Sequence, residues 1–255
     1  MPFTFQDHFS GTAPEYARYR PGYPEALFDF LARVCPERGL AWDCATGNGQ
    51  AAVSLARRFR AVIATDASRK QLANAFRRPN VFYWVASEAD SGIPAGSVDL
   101  VTAAQALHWF DREAFYREVR RVSKPCGVIA VWCYRRFSVS PEIDRLVNRF
   151  NTELVGPYWP YDRQVVDSGY RSLDFPFDEL RVPEFAIQQS WTLAELGKYI
   201  ETWSSVKRFR ELRGQNPVPG LLEQLREVWG DPEERRIVRW PLAVRAGYVF
   251  GKAGE

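Results

Sequence analysis

Through residues 1–133 short apolar runs alternate with amphipathic stretches. The spacing predicts a helix over 23–34: Pro24 falls in the first turn, and Leu27, Phe30, Leu31 and Val34 follow i, i+3, i+4, i+7. A strand over 40–43 follows Gly39, and a glycine-containing turn over 45–49 opens a helix that buries Ala52, Leu55, Ala56 and Phe59. The run 61–65 reads as the next strand and ends at Asp66. Ser68 can cap a helix reaching about Phe76, with Leu72 and Phe76 inward. Strands are expected over 81–85, 98–103 and 128–132. Asp111 can cap a helix carrying Phe115, Val119 and Val122, which Pro125 ends.

Strands separated by helical stretches make βαβ units, so the expected fold is α/β: a mostly parallel, doubly wound sheet with helices on both faces. Ligands of such sheets sit beyond the carboxyl ends of the strands, where strand order reverses. The informative residues are therefore 43–49, 66–67, 86–89 and 103–110. After 133 the rhythm changes. A helix is expected over 141–154, with Ile143, Leu146, Val147, Phe150 and Leu154 on one side. Residues 156–184 read as loops and 185–191 as a strand. Thr192 and Glu195 fit a capping box before a helix to about Arg213, and 221–229 reads as another helix. The last run, 237–250, reads as strand, where Pro241 implies an edge or a break. The expected organisation is a core over 1–133 with an N-terminal lid, a helical and loop cap over 134–184 and 195–230, and strands 185–191 and 236–250 completing the sheet.

Composition narrows the classes. The 255 residues are 46% hydrophobic and 25% charged, which excludes wholesale disorder. A net charge of +3 does not mark a nucleic-acid binder. No apolar run reaches the roughly 20 residues of a membrane helix, and residues 1–10 do not read as a secretory signal. The four cysteines form no CxxC pair and there are two histidines, so no metal site is expected. Reduced core cysteines suit the cytoplasm.

Two features carry chemistry. Asp43-x-Ala45-x-Gly47-x-Gly49 closes the first strand, where glycines let backbone approach a ligand that a β-carbon would repel. Asp66 ends the second strand, where an acid can accept two hydrogen bonds from vicinal ribose hydroxyls or can cap the following helix. Together they indicate an adenosine-containing ligand. Gly47-x-Gly49-x-x-Ala52 also satisfies a loose dinucleotide fingerprint. Asp43, however, can face a ligand ammonium and would repel a pyrophosphate, which favours S-adenosylmethionine.

The motifs resemble those of class I S-adenosylmethionine-dependent methyltransferases of the type-11 group. Asp-Cys-Ala-Thr-Gly-Asn-Gly at 43–49 resembles the family's Asp/Glu-x-Gly-x-Gly-x-Gly, 93–101 its segment entering the fourth strand, and Arg-Val-Ser-Lys-Pro-Cys-Gly-Val at 121–128 its Arg-Val-Leu-Lys-Pro-Gly-Gly segment. Tyr-Arg-Pro-Gly-Tyr-Pro at 19–24 and Gln-Ala-Leu-His-Trp-Phe at 105–110 resemble the branch containing trans-aconitate methyltransferases. The resemblance implies a Rossmann-like, seven-stranded sheet with the cap inserted after the fifth strand. It also implies that Asp43, Ala45, Gly47 and Gly49 hold the methionine part, Asp66 the ribose, and Ala67, Ser87 and Glu88 the adenine, with Ala103 and Gln105 lining the methionine end. Ala45 stands where the family has glycine, which a negative φ would accommodate. Cys126 replaces a turn glycine away from the ligand.

Tyr16, Tyr19, Arg20 and Tyr23 form an aromatic, basic segment expected to fold over the site, with Tyr19 and Arg20 at the cofactor and Tyr16 and Tyr23 toward substrate. His108 is a candidate base for a hydroxyl acceptor, whereas a carboxylate needs none. The trans-aconitate branch carries Gln where His108 stands. Trp109 is expected at the mouth of the site. The cap holds Trp159, Tyr161, Tyr170, Trp191, Trp203, Phe209, Arg163 and Arg208, some of them core and a few, Trp203 among them, lining an acceptor pocket. The reading is methyl transfer to a carboxylate or hydroxyl of a small molecule by a monomer or homodimer. The rivals are the same fold acting on RNA or protein, a nicotinamide-dependent oxidoreductase, and a non-catalytic cofactor-binding protein.

Overall fold

The computed structural model describes residues 22–159 and 163–251. Helix α1 (Glu25–Val34) leads into β1 (Leu40–Cys44), α2 (Gln50–Leu55), β2 (Ala61–Asp66), α3 (Arg69–Ala73) and β3 (Val81–Val85). Then come β4 (Val98–Ala104), a tight helical turn (Leu107–Trp109), α4 (Arg112–Val122) and the long β5 (Ser123–Tyr134). The strands β3, β2, β1, β4 and β5 lie side by side in that order, all parallel. Both faces are covered, so β5 alternates between two cores. Val128, Ala130, Trp132 and Tyr134 join α1 and α2, while Ile129, Val131 and Cys133 join α4. This two-sided burial is why the strands read as continuous apolar runs. Strand order reverses between β1 and β4, so the loops after these two strands diverge and open a crevice.

The later chain adds α5 (Pro141–Arg149), α6 (Arg163–Asp167), β6 (Asp178–Glu179), β7 (Phe185–Trp191), α7 (Leu193–Glu201), α8 (Ser204–Arg213), α9 (Val218–Trp229) and β8 (Arg236–Tyr248). β8 runs antiparallel to β5, and β7 and β6 pair in succession with its other side, so eight strands fill seven positions. The mixed, Rossmann-like sheet is the one the sequence implied. No helix among the described residues is long and apolar enough to cross a membrane.

Four expectations are corrected. α3 stops at Ala73, and Phe76 is 47% exposed rather than inward, because its backbone is drawn to the first glycine turn, its N–H donating to Asn48 O. α5 widens into a π-helical segment, Phe150–Leu154. The wider turn rotates Leu154 out of line with Ile143 and Val147, leaving it 44% exposed. The helix expected to run from Thr192 to Arg213 breaks at Thr202–Trp203. The capping box is present, but the Thr202 hydroxyl donates to Tyr199 O and Trp203 turns extended to cap α8. Finally, Pro241 lies within β8, neither at an edge nor at a break. Its carbonyl points to the β5 side, accepting from Arg135 N just past the last β5 pair, Tyr134 with Leu242. The donor that proline lacks would point the same way, where the ladder has already closed.

Candidate active site

The crevice is built first by Asp43 at the tip of β1. The side chain is 1% exposed, and its two oxygens accept from the hydroxyls of Thr46, 2.5 Å, and Thr102, 2.8 Å. Thr46 belongs to the glycine turn and Thr102 to β4, so one acid ties together the two sides of the switch point. Burial pushes its pKa up to about 6, against the pull of the two hydroxyls and the Ala52 amide. Asp43 is thus an enclosed negative charge beneath the turn, and its charge rather than a direct contact is what it presents to the crevice.

The turn itself is pinned by Thr46 N–H to Thr65 O at 2.9 Å. Gly47 has φ +57°, and a side chain there would project into open space. Gly49, at φ +84°, packs so closely on Tyr83 that a β-carbon would strike its hydroxyl. Ala45 has φ +53°, which corrects the expectation of a negative value. The chain must reverse within three residues to bring Thr46 back over Asp43, and the family's glycine would do so without strain.

Asp66 faces this turn. One carboxylate oxygen accepts from Gly47 N–H and the other from Ser68 N–H, both at 2.8 Å. Asp66 thus ties the glycine turn to the start of α3, whose capping side chain is Ser68. A carboxylate has about four acceptor directions, and these bonds name two. Ala67, partly buried, follows it in the chain. Ser87 Oγ accepts from Asp90 N–H at 3.2 Å, and Glu88 Oε1 accepts from Asp111 N–H at 3.2 Å, so both order the loop after β3. Ala103 is fully buried beneath the turn after β4.

Gln105 follows it with φ +57°, and its Nε2 is shut from water without a hydrogen-bond partner. Such a donor costs about 1–3 kcal/mol unless a ligand meets it. The non-glycine residues of left-handed backbone among those described are Ala45, Gln105 and Tyr170, and all three belong to this region.

Beyond Gln105 opens a cavity of about 70 Å³ lined also by His108, Tyr134, Arg135, Arg136, Trp159, Arg163 and Trp203. His108 Nδ1 lies 2.9 Å from the Tyr170 hydroxyl. Burial, reinforced by the Arg163 guanidinium, pushes its pKa down to about 3. Asp167 holds two guanidiniums at once: Arg163 Nε at 3.0 Å and Arg136 through Nε at 2.9 Å and Nη2 at 2.8 Å. Arg163 also stacks on Trp159 at 4.7 Å.

Of the residues expected at substrate, Trp203 lines the cavity, Trp109 lies against the His108 ring at 5.1 Å, and Tyr23 packs on Trp132 at 5.5 Å. Trp191 is core against Trp240, and Phe209 packs on Tyr158. Tyr16, Tyr19, Arg20 and Tyr161 lie outside the described residues. The sequence reading missed Thr46, Thr102, Arg135, Arg136 and Asp167. Arg135 and Arg136 were legible only if β5 had been carried to Tyr134, which makes 135–136 another strand tip, whereas nothing in the spacing pointed to Asp167.

This geometry fits S-adenosylmethionine: bare backbone at Gly47 facing open space, an enclosed carboxylate beneath it, a second carboxylate at the β2 tip and an unanswered amide at Gln105. Comparison with known proteins agrees. A methyltransferase-domain family model matches residues 42–131. A methyltransferase-family protein of Dictyostelium discoideum is 30% identical over 232 residues, 89% of this chain and 88% of its own length. A solved structure from Anaeromyxobacter dehalogenans, described as a type II methyltransferase, is 43% identical with a TM-score of 0.86, covering 91% of this chain and 99% of that one. The YcgJ protein of Bacillus subtilis, 15% identical with a TM-score of 0.51 over 91% of this chain and 100% of its own, shares the fold. The chain belongs to the class I S-adenosylmethionine-dependent methyltransferases.

Replacing Ala45 by glycine should raise stability by about 1 kcal/mol in urea unfolding, since it relieves a left-handed alanine; a loss would show that the turn is unstrained. Asp43 tests the enclosed charge. Its folded pKa lies above the ordinary 3.8, so its contribution to stability is full below about pH 4 and is lost as pH rises through about 6. Asp43→Asn should therefore be more stable than the parent at pH 8, by up to about 3 kcal/mol, with the advantage vanishing near pH 4. A destabilised variant at pH 8 would mean that the ionised form is favoured in the fold.

Proposed function

We propose that the protein transfers the methyl group to a carboxylate of a small molecule, forming a methyl ester. The carrying observation is the pair of guanidiniums, Arg136 and Arg163, that line the cavity, and His108 beside them accords with it. An effective base has a pKa near the working pH, whereas this imidazole, with a pKa near 3, stays neutral and holds a proton poorly. A hydroxyl acceptor would need a base; a carboxylate is already ionised and needs none. Arg136 and Arg163 line the same cavity and suit an anion. The resemblance to the trans-aconitate branch accords with an acid as acceptor.

When bound, S-adenosylmethionine supplies an electrophilic methyl on a sulfonium, so the acceptor oxygen takes the methyl carbon as the carbon–sulfur electron pair returns to sulfur. Asp66 and Ala67 would hold the ribose and adenine, with Ser87 and Glu88 near the adenine edge. The Gly47 backbone and the Asp43 charge would hold the methionine end, and Gln105 Nε2 would find its acceptor there. His108, neutral and fixed by Tyr170, contributes a hydrogen-bonding edge at the cavity mouth. The guanidiniums orient the acceptor carboxylate, and in-line holding of the two partners supplies much of the acceleration.

Asp66→Ala should weaken S-adenosylhomocysteine binding at least about tenfold in calorimetry, the loss of charge-assisted hydrogen bonds of roughly 1.5–3 kcal/mol; unchanged affinity would remove the ribose role. Incubation of labelled S-adenosylmethionine with a metabolite extract, followed by mass identification of the product, should yield a methyl ester. At saturating cofactor its rate should be flat between about pH 7 and 9, and His108→Gln should retain turnover within about tenfold. A methylated amine as product, or a rate that climbs with pH and collapses in His108→Gln, would defeat the reading.

A further inference from the structure

A second concavity, of about 730 Å³, lies at the outer side of β8, where the chain passes from β6 to β7. Its floor is apolar and includes Phe185, Pro241 and Val244. Four arginines stand around it: Arg135, Arg171, Arg239 and Arg245. Arg245 is answered, since its Nε and Nη2 each meet an oxygen of Glu179 at 3.0 Å. The other three pair with no carboxylate among the described residues. Arg135 Nε donates to Asp167 O at 3.1 Å, and Arg171 Nε donates to Ser168 O at 3.0 Å. These are consecutive carbonyls at the end of α6, where a helix leaves acceptors that outside donors must satisfy. Two forks are thus held at neighbouring carbonyls, each fixed at Nε with its terminal nitrogens left over. Arg239 reaches the same groove from β8, and its guanidinium makes no hydrogen bond among the described residues.

We infer that this groove takes a phosphate group, either the free ion or the head of a small monoester. Charge sets the sign of the ligand. Three unpaired guanidiniums face one unpaired carboxylate, that of Glu184. Number of oxygens sets the class. A carboxylate presents two and is filled by a single fork. A phosphate monoester presents three and carries about −1.5 to −2 at neutral pH, so it can engage forks from several sides at once. Glu179 and Glu184 border the same groove, and a nucleic-acid strand would have to run its next phosphate past them. A single phosphate meets the arginines without that repulsion, and the apolar floor leaves room for the body of an ester. Capping the end of α6 accounts for two Nε atoms, but for neither Arg239 nor the depth of the groove. The site is separate from the methyl-transfer cavity, which Arg135 borders but Arg171 and Arg239 do not.

Calorimetric titration of the full chain with phenyl phosphate, inorganic phosphate and benzoate separates the cases. Phenyl phosphate should bind at least about tenfold more tightly than benzoate, the worth of one further charge-assisted hydrogen bond. Arg171→Gln and Arg239→Gln are changes at exposed side chains. Each should weaken phenyl phosphate about fivefold and leave methyl transfer unchanged. Inorganic phosphate binding as tightly as phenyl phosphate assigns the groove to the free ion, and weaker binding assigns it to the monoester; both outcomes support a phosphate site. No binding of phenyl phosphate, equal affinity for benzoate, unchanged affinity in both variants, or tighter binding of a single-stranded oligonucleotide that the variants weaken would each overturn it. The carboxylate reading of the acceptor is decided separately, by the product of methyl transfer, and stands or falls without this site.

Discussion

A negative charge enclosed at the tip of β1 is the constraint on which the rest of the site depends. Asp43 has almost no access to water, and a carboxylate so placed must find its hydrogen bonds within the protein. It finds them in Thr46 and Thr102, one on each side of the point where strand order reverses. Satisfying the acid therefore closes the glycine turn over it and draws β4 alongside. The left-handed backbone of Ala45, the open face of Gly47 and the hold of Asp66 on Gly47 N–H follow from where that turn must go. The enclosed charge also favours a ligand carrying positive charge at this end, which matches a sulfonium with an ammonium beside it.

A second division of labour appears across the crevice. The cofactor side is made of backbone and short side chains on rigid strand tips. The side beyond Gln105 is made of long side chains, arginines and tryptophans, from the segments that follow β5. Asp167 is the counterpart of Asp43 there, because it fixes two guanidiniums that would otherwise lose order.

β1, β2, β4 and β5 were legible because they are buried on both faces, whereas β3 at the sheet edge keeps Phe82 and Val85 exposed. Asp43, Gly47, Gly49 and Asp66 were legible from spacing alone. The acceptor side was not. Arg136 and Asp167 are joined only by the fold, 31 positions apart, and no periodicity links them. Lys124, Pro125 and Cys126 disguise the start of β5, and its true end at Tyr134 places Arg135 and Arg136 at a tip that the apolar run did not reach. Pro241 misled because proline's rule concerns the direction of the missing donor, and direction is a property of the finished ladder. Ala45 misled because its left-handed geometry goes with the Thr46–Asp43 hydrogen bond that closes over it, rather than with its own preference.

The π-helical stretch at Phe150–Leu154 has a consequence for how such a protein changes over time. Its closing bond runs from Val155 N–H to Phe150 O, one residue longer than an ordinary turn. Loss of a single residue there would restore regular winding and swing Asn151 off the Trp159 indole, releasing the ring it anchors. Lineages can therefore retune which molecules are accepted by a length change in one surface helix, with the machinery that grips the methyl donor left untouched.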